Sequence, residues 1–254
     1  MPDKQRISSA FSRAAPEYDR RAVWQKQVAR RLLARLGFRP ANALDLGCGT
    51  GEMLALLAER FPGIKLSGLD SARGMIAQAR ERLRAYPQIV WQTGDMEHLP
   101  YPDQAFALIV SNLALQWLES PSRAFTEARR VLRAEGCFLF TTLASGTLQE
   151  LRAAYKKVCG QADNLHKFLP AAQIRAALSE QGFSIEYFSA ETETQYFPDL
   201  RSLLRSMQSV GAKNPAPRPL SKTQWQALQE NYLQIDGQYP LTYEVVFALA
   251  RKAA

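Results

Sequence analysis

Histidine is nearly absent from this chain: His98 and His166 are the only two, and they lie far apart. That scarcity excludes a histidine-rich metal site and argues against a Ser-His-Asp triad. Cysteine is almost as sparse. Cys48, Cys137 and Cys159 are odd in number, widely spaced and without a C-x-x-C pair, so they offer neither a disulfide framework nor a zinc pattern and suit a reducing compartment. No apolar run approaches the ~18 residues that would cross a bilayer. The start, Met1-Pro2-Asp3-Lys4-Gln5-Arg6, is followed by polar residues rather than a secretory apolar stretch, and the expected location is the cytoplasm. Internal repeats and low-complexity tracts are also missing.

What is present is the composition of an ordinary globule. The 254 residues are 46% hydrophobic and 22% charged, enough for one large α/β domain with or without a lid-like insertion. Net charge is +8. This excess suits an anionic partner, whether nucleic acid, anionic lipid or acidic protein. It equally suits solvated helix faces, because Arg30, Arg31 and Arg35, and Arg80, Arg82 and Arg84, fall on helical segments.

The stretch Leu44-Asp45-Leu46-Gly47-Cys48-Gly49-Thr50-Gly51-Glu52 carries the strongest local signal. Ala41 to Leu46 reads as a short buried strand, and Met53, Leu54, Leu56, Leu57 and Phe61 recur at helical spacing from Gly51 onward. A strand, a glycine turn and a helix start make a cradle where backbone approaches a ligand closely. Glu52 stands where a dinucleotide fingerprint requires its third glycine. Asp45, just ahead of the turn, would repel a pyrophosphate but suits an ammonium or sulfonium. These residues resemble the first motif of class I methyltransferases, which use S-adenosylmethionine.

In chain order, Pro16 is expected to interrupt any long helix near the start, and residues 1–36 read as N-terminal cap helices. Lys65 to Leu69 forms a second strand, closed by Asp70-Ser71, which sets a carboxylate at the neighbouring strand tip in reach of a ribose diol. After a helix from Ala72 to about Ala85, Gln88 to Gln92 is the third strand; past it, Asp95 and Met96 suit an adenine amine and ring face. Ala105 to Val110 is a continuous apolar run, as in a buried parallel strand. Ser111 to Trp117 follows at its ligand-facing end. A helix over 121–133 and a strand from Cys137 to Leu143 complete a βαβαβ rhythm, which predicts a doubly wound, mostly parallel sheet. Helices are expected over Thr147–Val158 and Ala171–Gln181, then a long strand over Phe183–Tyr196. A last strand, Leu241–Leu249, is bounded by Pro240. Residues 198–238, with helices either side of a Pro-rich loop from Gly211 to Pro219, read as a lid-like insertion over the ligand edge.

Four segments together resemble the malonyl-acyl carrier protein O-methyltransferases of biotin synthesis. They are Phe11-x-Arg13-Ala14-x3-Tyr18, Ser111-Asn112-Leu113-Ala114-Leu115-Gln116-Trp117, Thr141-Thr142-Leu143 and Pro240-Leu241-Thr242-Tyr243. The likeness runs from about Ile7 to Arg251. Asn164-Leu165-His166-Lys167-Phe168 departs from the family's His-x-Asn-Arg-Phe, and Met207-Gln208 from the Leu-Lys before its insertion glycine, here Gly211. Another small acid or a quinone precursor therefore stays open as acceptor. A base methyltransferase fits less well, since Ser111-Asn112-Leu113-Ala114 replaces the Asn- or Asp-Pro-Pro-aromatic motif of enzymes that methylate exocyclic amines.

The resemblance implies a single seven-stranded domain over 1–254 that binds S-adenosylmethionine and releases S-adenosylhomocysteine. Its cofactor residues would be Asp45, Gly47, Gly49, Gly51, Asp70, Ser71, Asp95, Met96 and Asn112. The acceptor would be the free carboxylate of a malonyl thioester on an acyl carrier protein, with neither nucleic acid nor membrane as partner. A carboxylate is already ionised at neutral pH, so alignment suffices: no general base, covalent intermediate or metal is expected, and His98 and His166 receive no catalytic role. Tyr18, Asn112, Gln116 and Trp117 are candidates to orient the acceptor. Arg205 is the first candidate to pair with its carboxylate, with Arg201 behind it. Lys156, Lys157, Lys167, Arg175, Arg201, Arg205, Lys213 and Arg218 would form a basic rim for an acidic carrier.

Overall fold

The computed structural model describes residues 4–118, 120–160, 165–209 and 220–253; the Pro-rich stretch from Gly211 to Pro219, with Lys213 and Arg218, lies outside them. Strands β1 (Asn42–Leu46), β2 (Lys65–Asp70), β3 (Val90–Thr93), β4 (Phe106–Asn112), β5 (Leu132–Leu143), β6 (Phe183–Phe197) and β7 (Tyr239–Lys252) form one sheet in the order β3-β2-β1-β4-β5-β7-β6. The first five run parallel, and β7 lies antiparallel between β5 and β6. Strand order reverses between β1 and β4, which opens a crevice at their carboxyl ends.

Successive residues on the central strands bury opposite faces. Ala43, Leu108, Leu139 and Phe247 join the helices α2 (Val23–Leu33), α3 (Glu52–Arg60) and α4 (Arg73–Arg82) in one core. Leu44, Ile109, Phe138, Phe140 and Val246 join α5 (Ser122–Val131) and α7 (Ala171–Glu180) in the other. Burial on both faces is why these strands read as unbroken apolar runs. A third, smaller core lies beyond them: α8 (Leu200–Ser209) and α9 (Lys222–Asn231), which fall between β6 and β7, pack Leu200, Leu203 and Leu228 against Leu151, Ala154 and Tyr155 of α6 (Gln149–Cys159).

Pro16 does not break the first helix. Helix α1 runs unbroken from Lys4 to Arg21 with the proline inside it. Proline forfeits one helical hydrogen bond and crowds the carbonyl four residues back; tertiary contacts offset this. Phe11, Ala15 and Tyr18 pack on Ala72 and Met75. Ser8 Oγ donates to the Ser71 carbonyl at 2.9 Å, and Ser12 Oγ accepts the Gly74 N–H at 3.2 Å. Pro240, expected to bound the last strand, instead pairs within it opposite Tyr196. Strand β5 likewise starts at Leu132, ahead of the expected Cys137, with a shift of register between Phe106 and Leu108.

The α1–α4 contact admits no side chain at Gly74, where a Cβ would lie 2.5 Å from the Ser12 carbonyl oxygen and 2.8 Å from its Cα. Gly74→Ala should therefore push α1 away while the sheet persists. Limited proteolysis should then cut within 4–21 at least about tenfold faster with far-UV circular dichroism unchanged; equal cleavage rates would contradict this packing.

Candidate active site

The glycine turn after β1 is held from the neighbouring strand. Gly47 and Cys48 donate their N–H groups to the Leu69 carbonyl at 2.8 and 3.0 Å. Gly49 N–H donates to Asp70 Oδ2, and Ala72 N–H to Asp70 Oδ1, both at 2.8 Å. Gly47 and Gly49 have φ of 69° and 52°, conformations that favour glycine. A Cβ on Gly47 would sit 2.4 Å from that of Ala114, so the turn and the segment after β4 nearly touch. Around Gly49 a Cβ would meet nothing within 4 Å; that residue faces open space.

This space is a cavity of about 490 Å³ at the carboxyl ends of the strands. Of the nine expected cofactor residues, Gly47, Gly49, Asp70, Ser71, Asp95, Met96 and Asn112 line it; Gly51 and Asp45 do not. Gly51 opens α3, where a Cβ would strike Leu83 at 2.8 Å. Asp45 lies just beneath, 1% exposed, and its Oδ1 has no hydrogen-bond partner. Burial, then the charge of Asp70, pushes the Asp45 carboxyl well above the usual range. Burial also raises Asp70, against the pull of its two N–H donors. Two adjacent, desolvated carboxyls give the cavity an acidic floor that favours a cationic ligand.

The roof comes from the N-terminal cap rather than from the lid-like insertion. Helix α1 contributes Lys4, Gln5, Ile7, Ser8, Ser9, Phe11 and Tyr18 to this cavity, whereas residues 198–209 and 220–238 contribute nothing. Lys4 Nζ bonds Asp95 Oδ2 at 2.7 Å and also pairs with Glu97. Partial burial alone would raise the Asp95 carboxyl, but Lys4 and the Glu97 N–H hold it below its ordinary value. Thr50 Oγ1 donates to Asp19 Oδ1 at 2.9 Å, tying the far end of α1 to the glycine turn.

A second cavity, of about 90 Å³, shares Phe11, Tyr18, Leu113 and Trp117 with the first. Leu113 has φ 51°, an uncommon conformation for a branched residue that is held here by its N–H bond to Thr141 Oγ1 at 3.0 Å. Trp117 stands edge-on to Phe11 at 5.4 Å and against His166 at 5.1 Å between centroids. Trp24 and Tyr243, 4.4 Å apart, form the opposite side, with Phe168 and Met207. The amides of Asn112 and Gln116 are engaged structurally: Asn112 donates to Gln25 O and accepts from Thr141 Oγ1, and Gln116 donates to Leu113 O. Tyr18 belongs to both cavities, and its hydroxyl makes no hydrogen bond among the described residues. Burial, with Asp70 and Asp19, raises its pKa, so it stays a donor at neutral pH.

Other candidate residues lie away from both cavities. Arg205 and Arg201 are exposed, and neither lines either cavity; Arg201 stacks over Trp225 at 5.9 Å. A helix period gives the face α8 buries, through Leu203 and Met207, but the arginines fall on the other side. His98 is exposed and lines neither cavity. His166, given no role above, does line the second; its Nε2–H donates to the Gln116 carbonyl at 2.6 Å, and burial, with Arg152 nearby, keeps it neutral. Trp24 and Tyr243 were also missed as site residues, although Tyr243 sat in a segment already singled out.

The family described as "Methyltransferase domain" matches residues 44–140. A malonyl-(acyl-carrier protein) O-methyltransferase of Geobacter sulfurreducens is 38% identical over 99% of this chain and all of its own length. Those of Herminiimonas arsenicoxydans and Serratia marcescens are 40% and 37% identical, over 100% and 97% of this chain and 98% and 95% of their own lengths. Among solved structures, the YcgJ protein of Bacillus subtilis superposes with a TM-score of 0.62 at 15% identity, over 89% of this chain and 98% of its own. A geranyl diphosphate methyltransferase in complex with SAM gives 0.58 at 17%, over 90% and 85%. Fold and site thus define a class I methyltransferase. Within that class, the chain belongs to the malonyl-(acyl-carrier protein) O-methyltransferase family.

The Asp70 carboxylate holds the turn that shapes the first cavity, and each hydrogen bond to a charged group is worth about 1.5–3 kcal/mol. Asp70→Ala should weaken S-adenosylmethionine binding by roughly 10- to 150-fold in calorimetry. Gly49→Val, which places a branched side chain in the cavity, should be worse. Unchanged affinity in either folded variant would contradict the assignment.

Proposed function

We propose that this chain transfers a methyl group from S-adenosylmethionine to the free carboxylate of a malonyl group on acyl carrier protein, giving the methyl ester that primes biotin-precursor synthesis in the cytoplasm. The observation that carries this reading is the pair of cavities meeting at one wall: an acidic-floored cavity large enough for a nucleoside, and a small, mostly apolar one beside it. The first fits the cofactor on the protein's own terms. Asp45 Oδ1 is buried without a partner, and Gly49 leaves room for close approach. Asp45, the Gly47–Gly51 backbone, Asp70, Ser71, Asp95, Met96 and Asn112 would hold it. When bound, the cofactor supplies an electrophilic methyl on a sulfonium.

The remaining work is alignment. The wall of Phe11, Tyr18, Leu113 and Trp117 sets the line between donor and acceptor and keeps water away; positioning of this kind can supply ~7–11 kcal/mol. Tyr18 lends a neutral hydroxyl at that line, and Trp117 with His166 and Phe168 forms a rigid aromatic side. Helix α8 covers the acceptor only, through Met207. Exposed Lys156, Lys157, Arg175, Arg201 and Arg205 steer the acidic carrier rather than grip its acyl group, so Arg205→Ala should cost a few-fold in kcat/KM, a loss that vanishes at high salt. A salt-independent loss of a hundredfold would contradict steering.

Labelled-methyl transfer tests the reaction itself. Malonyl-carrier protein should accept label at least about tenfold faster than succinyl-carrier protein, and duplex DNA should accept none. Preference for another acid would overturn the assigned acceptor.

Asp45 gives a pH signature. Its carboxyl is raised in the folded chain, so folding takes up a proton between the ordinary carboxylate range, about 4, and the raised value. Across that interval the cofactor-free chain loses stability as pH rises. A sulfonium favours ionised Asp45, so S-adenosylmethionine affinity should rise with pH over the same interval. Asp45→Asn should flatten the rise; an identical pH dependence in both proteins would rule out this coupling.

A further inference from the structure

Burying a cation is costly unless an anion or a full set of acceptors answers it. Most half-buried arginines elsewhere in this protein follow that rule: Arg31 and Arg35 pair with Glu191, Arg82 with Glu52, Arg130 with Glu127 and Asp103, while Arg129, without an ion pair among the described residues, lines a separate cleft together with Asp103 and Glu180. Arg152, on α6, differs. It is half-buried, and burial lowers its pKa with no neighbouring acid to offset the cost. No carboxylate lies within ion-pair distance of it among the described residues. Its Nε donates to the Thr147 carbonyl at 3.3 Å and its Nη2 to the His166 carbonyl, leaving Nη1 without a hydrogen bond among the described residues. The guanidinium stands 5.8 Å from the centre of the Phe168 ring.

All three of those neighbours, Thr147, His166 and Phe168, line the second cavity. Arg152 therefore stands directly behind one side of that cavity and holds two of its backbone carbonyls. No acid lines the cavity, and its ionisable side chains are Tyr18, Tyr243 and the neutral His166. A carboxylate entering there meets neutral donors and, just behind them, one uncompensated positive charge. We infer that Arg152 is the counter-ion that positions the acceptor carboxylate in the second cavity. The inference rests on the carboxyl-methylating function proposed above and adds the residue that selects an acid over a neutral acyl group. Its half-buried site favours arginine over lysine, because two fork positions grip the wall while a third stays free.

The test separates charge from structure. Arg152→Ala and Arg152→Gln should each lower kcat/KM about a hundredfold or more for malonyl-carrier protein and equally for malonyl-coenzyme A, because the acid head is common to both. Acetyl-carrier protein, which lacks the carboxylate, should inhibit wild type and variants alike within about twofold, and S-adenosylmethionine affinity should not move. Arg152→Lys should recover part of the rate, as should guanidinium ion added to Arg152→Ala. A folded Arg152→Gln within threefold of wild type, or a parallel loss of acetyl-carrier inhibition, would overturn the inference. The wild-type protein supplies an arm independent of folding: malonyl-coenzyme A, but not acetyl-coenzyme A, should protect Arg152 from phenylglyoxal, and equal modification with both would overturn the inference as well. Absence of any methyl transfer to malonyl thioesters by the wild type would instead refute the proposed function.

Discussion

The site depends first on one carboxylate. Asp70 accepts the Gly49 N–H on one oxygen and the Ala72 N–H on the other, each at 2.8 Å, and so binds the turn after β1 to the start of α4. With the turn fixed there, Gly47 comes so close to Ala114 that neither position tolerates more bulk. The segment after β4 must then bend sharply, and Leu113 takes its left-handed conformation. That bend carries Leu113 and Trp117 into the wall between the cavities. A hydrogen-bond pattern at the tip of β2 thus sets where the two cavities meet.

The two sides of that wall are built from opposite physics. At the floor of the first cavity, Asp45 and Asp70 are desolvated, and the charge of Asp70 adds to the cost of ionising Asp45; a cationic ligand would relieve this. The second is lined mostly by aromatic and aliphatic groups with a few neutral polar ones, and no acid is among them. A cation in one cavity and an anion in the other would each be stabilised where it is needed, meeting beside the residues that the two cavities share. Helix α1 closes the first cavity through Lys4, Ser8 and Phe11, and its end is tied down through Asp19. The N-terminal helix therefore covers the first cavity and, through Phe11 and Tyr18, part of the second, where Met207 of α8 joins it.

The sheet was legible from the sequence because its cause is local. Strands buried on both faces must be apolar throughout, and Ala105 to Val110 and Cys137 to Leu143 announce themselves that way. The glycine turn was legible for the same reason: its geometry is dictated by adjacent residues. Pro16 was misread because propensity is a local rule and the compensation is tertiary, from Ala72, Met75 and Gly74 on another helix. An N-terminal cap was legible, but its contact with the first cavity was not, because Lys4 meets Asp95 from 91 residues away in the chain. Residues of the second cavity come from seven separate stretches between Phe11 and Tyr243, so only the segments with a family likeness could be guessed. Arg205 was chosen for its charge and place in the chain, and neither shows which side chains a fold buries beside a cavity.

Direct transfer across the shared wall is the central claim, and stereochemistry tests it without altering a residue. A methyl group made chiral with the three hydrogen isotopes would be offered on S-adenosylmethionine and its configuration read in the methyl ester. A single in-line displacement at the wall of Phe11, Tyr18, Leu113 and Trp117 predicts inversion. Retention would mean two successive displacements through a methylated enzyme group, and would contradict the account.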